Sequence, residues 1–309
     1  MKFLLKSLAV IGLLLSSMIA QDIQIYTTDN SNGKITPKTI EKVFADAGFK
    51  ISGNNDMNRA FNSKFKKVNH KVYNLFTLYK KDLVMELLKK SPKAALLAPL
   101  SMSIYTEMNS NTISVSSISL EGMEKVTGVS SKDTVMIKYA NLIQDVLKKA
   151  LPNGNFEKIP YKILKTKGEL VTSFTAEMEA EGDDVEDELD GLQEELEGSL
   201  ESVGFVIAGY NKLGDELNEV GVKNYDFFDA YSICKLPVIF EVAKLHPEAG
   251  AFAPCTFYMY KKKGSSDVTM AFPSVYNWLS SLGIEDKEST DVLIDAQKLF
   301  ESTVLETIE

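Results

Sequence analysis

Cys234 and Cys255 are the only two cysteines in the 309-residue chain. They stand 21 residues apart, in Cys234-Lys235-Leu236-Pro237 and Ala253-Pro254-Cys255-Thr256. If each ends or begins a strand, and the strands are neighbours, the thiols come within bonding range. That pairing admits three chemistries. The first is a buried inert pair, because free Cys packs as a small hydrophobe. The second is a structural disulfide, worth about 3 kcal/mol for a loop of this size. The third is a redox, sulfur-handling, metal or haem site, with Cys255 as nucleophile and His246 as an extra ligand. No Lys, Arg or His adjoins Cys255 to favour its thiolate. Trp278, the only tryptophan, lies near Pro273, Tyr276 and Leu279 in a segment that reads as core or as an apolar cleft wall. With Pro254 and His246, Trp278 and Tyr276 make up the candidate cleft. His70 lies in a polar run before a strand and reads as exposed.

The acidic groups are equally concentrated. Residues 177–201 hold 13 Asp and Glu and no Lys or Arg, although the whole chain has a net charge of only -9. Glu186-x-Glu188-x-Asp190-Gly191, with Glu197 twelfth, has the spacing of a calcium loop. Against it, Glu replaces the usual first Asp and Gln193 stands where an apolar anchor belongs. Leu189, Leu192, Leu196, Leu200 and Val203 instead trace one face of an amphipathic helix over Leu189–Val203, led by an acidic turn at Glu181–Glu188. The overall negative charge argues against nucleic acid as a partner. No phosphate-binding glycine loop, Ser-His-Asp order or paired-carboxylate site stands out.

Met1–Ala20 has a basic start, an apolar run from Leu8 to Leu15, then small residues, the pattern of a secretory signal peptide. Ala20 suits the last residue before the cut, although Met18 is large for its position. An uncleaved anchor is the alternative, but the run is short for a span of ~20 residues. No other segment is long and apolar enough to span. The expected mature chain is soluble and periplasmic, with a net charge of -11 once Lys2 and Lys6 are removed.

These residues sit within an internal repeat. Residues 73–105 match 228–260 at an offset of 155, with eight of 33 identical, among them Pro92/Pro247, Ala98/Ala253, Pro99/Pro254 and Tyr105/Tyr260. Ala47-Gly48-Phe49 matches Val203-Gly204-Phe205 at 156. The expected organisation is a signal peptide at 1–20, a first repeat at 21–151, a linker at 152–165 and a second repeat at 166–309, with the acidic helix first. In the first repeat, strands are expected at Ile23–Thr28, Val72–Tyr79, Leu97–Tyr105 and Thr112–Ser119, with helices after Thr36-Pro37, over Leu83–Lys90 and over Asp133–Leu151. In the second, strands fall at Leu170–Glu177, Phe227–Cys234, Phe252–Tyr260 and Asp267–Pro273, with further helices over Val238–Leu245 and Asp291–Leu305. Each repeat reads as α+β, a mostly antiparallel sheet with helices on one face.

The second repeat resembles the domain-of-unknown-function family 302, whose members end a strand in Cys-x-Pro and enter the next through Gly-x-x-x-Pro-Cys. Pro247, Gly250, Pro254 and Cys255 match, whereas Cys234 and Pro237 are one residue further apart than usual. The first repeat keeps Pro92 and Pro99 but has Tyr79 and Leu100 at the Cys positions. The resemblance implies a TATA-binding-protein-like fold, and dimers of single-copy relatives, so that a tandem chain would be its own pseudo-dimer. It supplies a fold and not a function, and the cofactor stays unknown. The functional expectation is a non-catalytic protein that binds a small molecule or a periplasmic partner between its copies or on a sheet face, as a monomer or homo-oligomer. The alternative is thiol, metal or haem chemistry at Cys234 and Cys255.

Overall fold

The computed structural model describes residues 21–180 and 182–308, so the expected signal peptide lies outside the described residues. The chain begins with β1 (Ile23–Asp29), α1 (Pro37–Asp46), β2 (Lys50–Asp56), α2 (Met57–Phe65), β3 (His70–Tyr79), α3 (Lys81–Leu88), β4 (Leu100–Glu107), β5 (Thr112–Ile118), α4 (Leu120–Thr127) and α5 (Thr134–Ala150). After the short β6 (Asn155–Phe156) come β7 (Val171–Glu177), α6 (Val185–Ser202), β8 (Val206–Lys212), α7 (Leu213–Glu219), β9 (Tyr225–Cys234) and α8 (Leu236–Val242). The last elements are β10 (Cys255–Lys262), β11 (Asp267–Pro273), α9 (Val275–Ser281) and α10 (Lys287–Ile308).

The result is an α+β fold with two antiparallel sheets, ordered β2-β3-β4-β5-β1-β6 and β8-β9-β10-β11-β7. Without β6 the two orders correspond strand for strand. Even the bulges agree: β2 slips register between Ile51 and Gly53, and β8 between Ile207 and Gly209.

Local chemistry sets the elements. Thr36 and Thr39 close a capping box in front of Pro37, and the Asp133 carboxylate accepts from the Val135 and Met136 amides at the start of α5. Ile40 and Phe44 of α1 are buried, with Phe44 edge-on to Phe76 of β3. The acidic segment folds as a helix, as its leucine spacing predicts, which displaces the calcium-loop alternative. It starts at Val185 rather than Leu189, with Glu186, Asp187 and Glu188 in the first turn, where the helix dipole favours negative charge. Leu196 and Leu200 pack with Phe257, Met259 and Phe300 in the core beneath α6 and α10.

Several expectations shift. The strands expected from Leu97 and Phe252 start at Leu100 and Cys255, because Pro92–Leu97 and Pro247–Ala251 are 3-10 turns. His70 is buried, not exposed: it opens β3 opposite Glu107 and stacks 5.0 Å from the Tyr73 ring. The 152–165 segment is not a free tether. The β6 strand pairs with β1, and the Leu164 amide donates to the Ser280 carbonyl.

Helices cover one face of each sheet, and the opposite half of the chain covers the other face along the central strands. The Ser101 hydroxyl donates to the Pro254 carbonyl (2.7 Å), and the Thr256 hydroxyl donates to the Pro99 carbonyl (2.9 Å). Both residues of each bond are offset by 155 from their counterparts in the other, so the two contacts are reciprocal. Between them Gly250 lies on β4, so close that a Cβ there would come within 2.4 Å of the Ser103 Cβ. Ser103 and Ser116 complete the seal by donating to the Pro247 and Glu248 carbonyls. One hydrophobic cluster therefore runs through both halves, from Leu75 and Ile104 to Phe228 and Tyr258. The central strands of the two sheets are thus packed against the opposite half, while β7 keeps an exposed outer face at Ser173, Thr175 and Glu177.

Candidate functional site

Register decides how the cysteines meet. Cys255 is opposite Ile233, and Cys234 lies one position beyond that pair, at the strand end. One position out of register, Cys255 shares its sheet face with Ile233 while Cys234 takes the opposite face at the strand end, and both are free. They border an apolar cavity of about 60 Å³ that also touches Trp278. Phe205, Phe257, Phe272 and Phe300 supply aromatic walls, and Ala296 of α10 leaves the space that a larger side chain would fill. Lys235 and Gln297 are polar lining residues. Lys235 turns its ammonium to the Val203 carbonyl (2.6 Å) and over the Phe205 ring, and Gln297 accepts from the Val275 amide.

Burial pushes the Cys234 thiol up to about 12. Cys255 is also pushed up to about 12, by burial first and then by the charge of Cys234, against a smaller opposing effect of the Trp278 indole N–H. The Cys255 thiol donates to the Phe252 carbonyl at 3.3 Å. Both groups are neutral thiols at physiological pH. The thiolate is the nucleophile and metal ligand. Iodoacetamide at pH 7.5 is therefore expected to label the native protein at least about 100-fold more slowly than the urea-unfolded chain, by intact-mass spectrometry. Equal rates would contradict the burial.

The other expected site residues lie elsewhere. Pro254 is taken up by the Ser101 contact. Tyr276 closes over Gly168 and borders a separate groove with Leu164 and Ile284. His246 does not reach the cysteines. Its Nδ1 is 3.4 Å from Glu248 and its Nε2 3.7 Å from Asp286, with Tyr161 edge-on. It belongs to a buried polar cluster around Glu248, to which the Tyr161 hydroxyl donates at 3.0 Å. Among the described residues, no group of three His, Cys, Asp or Glu side chains is arranged to hold a metal ion.

Sequence reasoning missed the phenylalanine walls, which come from β10, β11, α10 and the residue before β8. It also missed a second, polar cleft in the same half, about 890 Å³ in volume, between the start of α6 and strands β9 and β10.

The family model for the domain of unknown function DUF302 matches residues 26–150. Residues 26–150 are a DUF302 domain. Among solved structures, the chain is similar to the uncharacterized conserved protein DUF302 from Bacillus stearothermophilus, at 15% identity and a TM-score of 0.37, over 46% of this chain and 100% of that one. No curated protein matches the chain. The matched DUF302 domain is the half without cysteines, so both cavities lie outside it.

Proposed function

We propose that the chain is an exported, non-catalytic binding protein built from two DUF302-type copies, and that the second copy takes a small apolar molecule in the cavity beside Cys234, Cys255 and Trp278. The apolar space, walled by aromatic rings and two neutral thiols, carries this reading. The constant offset of 155, the matching strand orders and the reciprocal Ser101 and Thr256 contacts support a second copy and an internal pseudo-dimer. Export to the periplasm rests on the pattern of Met1–Ala20. No helix among the described residues is long and apolar enough to cross a membrane.

A cavity of about 60 Å³ is well below the ~150 Å³ that admits benzene. The ligand is therefore a molecule of a few heavy atoms, recognised by shape and apolarity. Thiol redox or metal and haem binding, the alternative, would first have to ionise two half-buried thiols whose surroundings disfavour the charge.

Trp278 reports on occupancy because it is the only tryptophan. Xenon under pressure, a heavy-atom quencher, is expected to quench its emission with saturation. Ala296→Val, which fills the space from α10, should abolish the saturable part while retaining the melting temperature. Linear quenching that is the same in both proteins would reject the binding cavity.

A further inference from the structure

The second cleft is polar where the first is apolar, and it has the size of a small-molecule site. Asp229 of β9 lies at its floor and is 3% exposed. The Tyr210 hydroxyl and the Gln193 amide both donate to its Oδ2, each at 2.9 Å. Among the described residues, no hydrogen bond reaches Oδ1. Oδ1 keeps access to the cleft and is the oxygen open to a donor from outside.

The rim determines the sign of that donor. Glu186 and Asp190 approach from α6, and Asp215 from α7. Asp226 is already matched by Lys261 (2.7 Å), leaving Lys212 and Lys263 against four carboxylates. Among the described residues the acidic groups are spread around the cleft, with none of the close grouping of three that a metal ion needs. A compact divalent cation cannot reach them together, whereas an extended cation can. Tyr225 and Phe227 add an apolar wall suited to methylene groups.

The position 155 residues earlier provides an internal contrast. There Asn74 donates to Asn54, and Asn54 in turn donates to the Pro37 carbonyl and to Glu41 under the start of α1. The first half thus closes with neutral amides the place that the second half lines with a carboxylate and a phenol.

We propose that this cleft binds an aliphatic polyamine, an alkyl chain carrying two or more ammonium groups, with Asp229 as the buried anchor and the α6 carboxylates holding the second charge. The site is separate from the apolar cavity and does not depend on it.

Calorimetric titration of the full mature chain with spermidine, and separately with magnesium chloride, tests it. Saturable spermidine binding is expected, weakened about tenfold or more by Asp229→Asn, the residue type found at Asn74. The paired rim change Glu186→Gln with Asp190→Asn, at exposed helix positions, should weaken it several-fold with the circular dichroism spectrum unchanged. Magnesium at equal charge should not displace the amine. Absence of saturable heat, unchanged affinity in both variants, or displacement by magnesium would overturn the proposal. The last outcome would reduce the effect to diffuse attraction by an acidic surface.

Discussion

Gly250→Ala lowers the unfolding midpoint by several degrees, and Gly250→Val lowers it further. The added Cβ falls 2.4 Å from the Ser103 Cβ, 2.9 Å from a Leu75 methyl and 3.0 Å from the Ser103 Cα. The last contact is with the backbone of a central strand, which cannot swing aside as a surface side chain would. Overpacking of this kind costs about 1–3 kcal/mol, and about 2–4 °C per kcal/mol in a chain of this size. The backbone at Gly250 is not left-handed, so the loss measures the docking of the halves and not a forbidden conformation. Gly198→Ala is the matched control. It lies within α6 with open space where the new methyl would point, and helix propensity alone should leave it neutral or more stable by about 0.5–1 kcal/mol. Thermal melts followed by circular dichroism give both values. A Gly250→Ala midpoint within a degree of the parent would mean that Pro247–Ala251 does not seat on β4.

Asp229→Asn makes the protein more stable at pH 7.5. Burial raises the Asp229 carboxyl to about 6, against the lowering effects of Tyr210, Gln193 and Lys212, with Asp215 adding to the rise. An unfolded Asp titrates near 3.9. Between about pH 4 and 6 the unfolded chain has therefore lost this proton while the folded chain still holds it. The folded state binds more protons there, so this group's contribution to stability falls as pH rises through that window and is at its lowest above it. The penalty is about 3 kcal/mol. The amide keeps an acceptor for Tyr210 and removes the buried charge. Denaturant melts of both proteins from pH 4.5 to 7.5 should give a difference that grows with pH and levels off above 6. His70, whose burial lowers its pKa, pushes the other way, because its contribution to stability is lost as pH falls. It is common to both proteins and cancels in the difference. A variant no more stable than the parent at pH 7.5 would refute the buried charge. A carboxylate kept at a cost to folding is the pattern expected of a binding group.

Much of this fold is written in the sequence as periodicity and repetition. The strand Asp267–Pro273 has the expected ends, α1 begins at its predicted cap, and α5 starts one residue after the expected Asp133, which caps it. The edge strands β2 and β8 left no such trace. Lys50-Ile51-Ser52-Gly53-Asn54-Asn55-Asp56 is polar because an edge strand is only partly covered, so neither an apolar run nor a clean alternation develops. The short helices α2, α4, α7 and α9 were hidden as well, since two turns are too few to display a stripe. His70 misled because its neighbours Lys66, Lys67 and Lys71 are charged, while the rings that bury it, Tyr73 and Tyr105, come from β3 and β4. At the sites, the cysteine spacing pointed to one cavity, but its aromatic walls are assembled from distant segments. The polar cleft was visible only as a mismatch within the repeat, Asp229 where the first half has Asn74.

The reciprocal Ser101 and Thr256 contacts have a bearing on evolution as well as on packing. Two separate chains meeting through such a surface would dissociate on dilution, and any substitution would appear on both sides at once. Joined through residues 152–165, the halves meet at a fixed effective concentration set by the connection, independent of how much protein the cell makes. Each side can then change alone. One half keeps Tyr79 where the other has Cys234, and the Tyr79 hydroxyl donates to Glu216 across the boundary.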